Sequence, residues 1–148
     1  MAIKRLSIAG ILAGVLALTA MSFTIPADKL DRQKIFYGSA SEFASPAEVD
    51  WNGIIKATPE YKEIKDQKVP RETGKYWILI SKASDRAVRA IAKVGKESEH
   101  DLIALEGYIP SLELADVPAP ANVTEQVIEA LVEREKPKTT LFESRKQR

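Results

Sequence analysis

The sequence predicts an α+β fold, in which a small body of strands carries a short antiparallel helical hairpin and a C-terminal helix closes the chain. Three stretches predict it. Apolar residues recur at helical spacing through Ala87, Val88, Ile91, Ala92 and Val94, while Arg86, Arg89, Lys93 and Lys96 fall on the other face. The polar corner from Glu97 to Asp101 ends that stripe, and Leu102 to Leu105 follows as an apolar run too short for a helix and suited to a buried strand. Earlier, Thr58-Pro59-Glu60 opens a second helix and the turn between Pro70 and Gly74 stops it, so this helix must fold back on the later one.

In chain order, Met1 to Ser22 reads as a signal peptide. Lys4 and Arg5 supply the positive start, Leu6 to Leu18 is apolar, and Ala20-Met21-Ser22 offers small residues to a signal peptidase. The apolar run falls short of the roughly 20 residues a membrane-spanning helix requires, which favours a cleaved signal over a permanent anchor. The sequence holds no cysteine, so neither a disulfide nor a lipid-modified cysteine is available. Without Lys4 and Arg5 the chain carries 20 basic against 21 acidic residues, a balance that argues against a general nucleic-acid or polyanion binder.

Residues 23–46 read as a mostly extended lead-in. Lys34 to Tyr37 can form a strand closed by Gly38, and Phe36, Tyr37 and Phe43 either cover the edge of the core or dock a partner. Ala47 to Asp50 is a short strand, and Ile54 and Ile55 begin an apolar face that Tyr61 and Ile64 continue to about Lys68. Tyr76, Trp77 and Ile78 favour a strand over Lys75 to Ala83 by propensity. As a helix, however, Trp77, Ile80, Ser84, Ala87, Ile91 and Val94 make one nearly continuous stripe, and the long helix is the reading adopted. Gly107 allows a turn into a second short strand at Tyr108 and Ile109. Beyond the Pro-containing connection, Asn122 and Glu125 are spaced as a capping box, and Val123, Val127, Ile128, Leu131 and Val132 supply the apolar face of the closing helix. Asn122-Val123-Thr124 is also a glycosylation sequon, which capping explains better. Residues 134–148 read as a basic, flexible tail.

Catalytic constellations are missing from the sequence. His100 is the sole histidine and lies in a charged corner, so a His/Cys metal site and a thiol nucleophile are both excluded. Asp85, Glu97, Glu99 and Asp101 read as a solvated face rather than an acid/base pair, and Ser39 and Ser41 lack a nucleophile-elbow pattern. The expectation is a non-enzyme with no cofactor and no metal.

Val49-Asp50, Ile54-Ile55 and Thr58-Pro59-Glu60-Tyr61-Lys62 together resemble the opening of the OmpH/Skp family of periplasmic chaperones. Arg89 to Leu105 is similar to that family's returning arm helix and following strand, and Asn122 to Leu131 to the start of its final helix. The resemblance spans three separated blocks and implies an OmpH/Skp-like domain over 47–133. It also implies a periplasmic location and a homo-oligomer, usually a trimer in the family, that holds unfolded outer-membrane or envelope proteins without nucleotide. The chain departs from the family in its arms, since only 23 residues separate Glu60 from Ser84. Arms of roughly ten residues project about 15 Å. Within that frame Tyr76, Trp77 and Ile80, near the tip of the hairpin, are the expected client-binding residues; the alternative for Trp77 is packing between the arms or between subunits. The alternative function is an envelope structural or adaptor protein that keeps the oligomerising body without enclosing a client.

Overall fold

The computed structural model describes residues 21–133. The expected signal peptide, apart from Met21 and Ser22, and the expected basic tail lie outside them. The chain is α+β, with strands β1 (Ile35–Gly38), β2 (Pro46–Val49), β3 (Leu102–Leu105) and β4 (Ala121–Asn122). Its helices are α1 (Trp51–Ala57), α2 (Pro59–Asp66), α3 (Gly74–Glu97), α4 (Tyr108–Ser111) and α5 (Thr124–Glu133).

The strands form one sheet in the order β1-β3-β2-β4. Its two central strands are parallel, Ala47 standing opposite Ile103 and Val49 opposite Leu105, so the chain needs a long crossover between them. Helices α1, α2 and α3 make that crossover. Short β4 runs parallel to the outer side of β2, and β1 runs antiparallel to β3.

Both faces of the sheet are covered, which explains why Leu102, Ile103 and Ala104 are all fully buried. Successive strand residues point to opposite faces. Ile103 joins Ala47, Val49, Ile54, Ala87 and Ile91 in the core beneath the helices, whereas Leu102 and Ala104 join Ile25, Phe43, Tyr108 and Leu112 in a second core on the other side. The segment expected as a lead-in therefore supplies an edge strand and part of that second core. Phe23 and Phe43 pair through backbone hydrogen bonds of 2.6 and 3.0 Å, and the Tyr37 ring lies directly over Gly95 of α3.

Two local expectations are corrected. Tyr108 and Ile109 open the helical turn α4 instead of a strand. Gly107, at φ 79°, turns the chain out of the sheet direction, and burial of Tyr108 and Ile109 in the second core holds the turn. The Tyr108 hydroxyl fixes it further by donating to the Lys29 carbonyl at 3.0 Å and accepting from the Asp31 amide at 2.8 Å. At the far end, Asn122 belongs to β4, opposite Glu48, so α5 begins at Thr124 rather than just after Asn122. The Asn122 side chain accepts from the Thr124 amide at 3.0 Å, and the Thr124 hydroxyl accepts from the Asp50 amide at 2.9 Å. Strand pairing has displaced the expected capping box.

Candidate binding site at the helical hairpin

The hairpin is built by two threonines. Thr58, fully buried between α1 and α2, accepts from the Tyr61 amide at 3.2 Å and donates to the Ile55 carbonyl at 2.6 Å, which ends one helix and starts the next. Pro59 occupies the first helical position, where a missing amide hydrogen costs nothing. Thr73 does the same for α3, accepting from the Tyr76 amide at 3.3 Å and donating to the Pro70 carbonyl at 2.7 Å. A single helix of 24 residues, Gly74 to Glu97, follows.

Ion pairs tie the arms antiparallel. The Arg86 guanidinium meets both oxygens of Glu60 at 2.7 to 3.0 Å, and nearer the tip Lys75 reaches Glu63 at 3.4 Å and also contacts Gln67. Burial pushes the Glu60 carboxyl up, but the hydrogen bonds from Arg86 and from the backbone, with the charges of Arg86 and Lys82, bring it below its ordinary value.

The buried stripe of α3 runs through Leu79, Ala83, Ala87, Ala90, Ile91 and Val94, rotated away from the stripe that started at Trp77. Small alanines let α3 lie close to the sheet and to α5. The rotation places Trp77 and Ile78 outside the core, 62% and 58% exposed. Tyr76 and Ile80 instead line a cleft of about 400 Å³ between α1, α2 and α3, together with Trp51, Ile55, Tyr61 and Arg71. Trp77 stands beside Tyr76 as an edge-to-face pair, with ring centroids 5.4 Å apart and planes at 88°. Trp51 is stacked on Phe36 at 4.9 Å with planes at 8°, which makes it a rigid wall.

The structure thus brings together all three expected residues, Tyr76 and Ile80 inside the cleft and Trp77 exposed beside it. It does not wedge Trp77 between the arms. Trp51, Tyr61 and Arg71 were not expected there. No periodicity could have joined them, because Trp51 and Tyr61 lie on separate helices and meet Tyr76 only through the fold.

Charge is sharply divided along the chain over the described residues. Residues 56–96 hold eleven Lys/Arg and five Asp/Glu, whereas residues 97–133 hold nine Asp/Glu and no Lys or Arg. The division falls at the C-terminal end of α3. His100, the sole histidine in its charged corner, shares a 3.2 Å hydrogen bond with the Ser45 hydroxyl. Asp101 does not complete a triad with them: its carboxylate accepts from the backbone amides of Ala44 and Ser45 at 2.7 and 2.9 Å. No group of three or more metal-ligating side chains occurs among the described residues, and no helix among them is long and apolar enough to cross a membrane. Comparisons with protein-family models, curated proteins and solved structures found no match.

Proposed function

We propose that this protein is a non-enzymatic binding protein of the periplasm, a short-armed holdase of the OmpH/Skp type. It takes apolar side chains of unfolded outer-membrane or envelope proteins at the hairpin without nucleotide. The observation that carries this reading is the placement of exposed Trp77 against Tyr76 of an open cleft walled by Trp51, Tyr61 and Tyr76. Large apolar groups left in water beside a preformed aromatic cleft lose unfavourable solvent contact when an extended chain lies across them.

The short second arm favours an alternative, an envelope adaptor that grips one folded partner. Helix α2 has eight residues, a reach of about 12 Å, too little to surround a client. Dilution of a urea-unfolded β-barrel protein separates the two. Holdase action predicts suppressed aggregation near stoichiometric protein and its loss in Trp77→Ser/Ile78→Ser. Unchanged aggregation with well-folded protein rejects the holdase and leaves the adaptor.

A further inference from the structure

The exposed tip of the hairpin and the acidic end of the body are complementary surfaces that one molecule cannot bring together. At the tip, Trp77 and Ile78 are exposed on a segment that also carries Lys68, Arg71, Lys75 and Lys82, and six Lys/Arg stand against three Asp/Glu over residues 62–82. At the other end of α3, a cleft of about 260 Å³ opens against α5, with Val94 and Ala130 at its base and Glu97, Glu129 and Glu133 around it. Lys93 bridges Glu133 at 3.0 Å and Glu97 at 4.0 Å, which offsets part of that charge, and Val132 lies 49% exposed on the same helix.

The two surfaces sit at opposite ends of a rigid helix. Twenty residues separate Trp77 from Glu97, about 30 Å along α3. We propose that the hairpin tip of one copy docks in the α3–α5 cleft of a second copy, with Trp77 and Ile78 on its apolar base and the basic side chains against its acidic rim. The contact is head-to-tail, so a docked pair keeps one free tip and one free cleft, and the association continues into a chain or closes into a ring. It covers Trp77, so self-association and capture of an apolar client compete for the same surface. The inference does not depend on the client reading.

Charge reversal tests it. Sedimentation velocity of the purified protein over a concentration series at low salt should show growing assemblies that dissociate at about 0.5 M salt, where the Debye length falls to a few Å. Arg71→Glu/Lys82→Glu and, separately, Glu97→Lys/Glu129→Lys should each weaken association on the order of tenfold, because like charges then oppose one another. Mixing the two variants should restore it, since each then meets a complementary surface. All four side chains are exposed, and unchanged circular dichroism of each variant excludes unfolding as the cause. Trp77→Ser provides a second route to the same loss with no change of charge. A protein that stays monomeric at low salt, or a mixture that fails to restore association, overturns the proposal. Flotation of the tip on anionic lipid vesicles without self-association overturns it too, and assigns the basic surface to lipid headgroups.

Discussion

Arg86 and Glu60 join the two arms of the hairpin through three hydrogen bonds of 2.7 to 3.0 Å, with the Glu60 side chain only 12% exposed. The pair ties the start of α2 to the middle of α3. Because the folded state holds the Glu60 carboxyl below its ordinary value, its contribution is present at neutral pH and is lost as pH falls through that lowered folded value. Glu60→Gln should therefore destabilise the protein by about 1–2 kcal/mol at pH 7, with the gap from the parent closing in acid. Urea unfolding of both proteins at pH 7 and pH 3 checks this. A gap that widens in acid contradicts it.

Gly95 of α3 lies directly against the Tyr37 ring of the edge strand. A methyl group on Gly95 would collide with the Tyr37 ring, both positions being fixed by helix and strand. Gly95→Ala should cost about 1–3 kcal/mol although alanine is the better helix former. In a Tyr37→Ala background the same change should cost much less. Equal costs in the two backgrounds, measured by urea unfolding, would show that the contact is not what restricts the position.

Thr58 is the buried joint between α1 and α2. Thr58→Val keeps its shape but removes both the bond to the Tyr61 amide and the bond to the Ile55 carbonyl, and should cost about 1–3 kcal/mol. Thr73→Ala, at the exposed tip, should cost about 1 kcal/mol. A thermal melt that ranks Thr73→Ala as the more damaging change would contradict this assignment.

Trp77 and Trp51 should separate binding from stability. Trp77→Ser should change stability by less than about 0.5 kcal/mol, since its ring is mostly in water, yet abolish most client protection. Trp51→Ala should destabilise by about 1–3 kcal/mol through loss of the stack on Phe36. Melting curves and aggregation assays on the same samples read both quantities.

Much of the helical framework was legible in the sequence because its signals are local. Thr58-Pro59-Glu60 marks a helix start by chemistry confined to three residues, and the stripe read through Trp77, Ile80, Ser84, Ala87, Ile91 and Val94 gives one long helix α3 despite the strand propensity of Tyr76 and Trp77, although the face actually buried begins at Leu79. The strand Leu102–Leu105 was legible from its short apolar run. The misread elements depend on distant partners. Tyr108 is held in a helical turn by Lys29 and Asp31, and Asn122 is drawn into the sheet by Glu48, contacts that no local pattern carries. Tyr76, Trp77 and Ile80 could be chosen as exposed or accessible aromatic and apolar groups near a turn, but Trp51 and Tyr61 enter the cleft through tertiary folding alone. A near-neutral total charge likewise concealed the division between residues 56–96 and 97–133.

The most direct test follows Trp77 itself. The sequence has two tryptophans, so Trp51→Phe leaves Trp77 as the sole indole reporter. With the protein dilute and salt high enough to suppress self-association, a urea-diluted β-barrel protein is added and the emission is recorded. Client capture at the hairpin predicts a blue shift that saturates with added client, as the exposed indole leaves water. An emission spectrum unchanged while client aggregation is suppressed would place binding elsewhere and contradict the account.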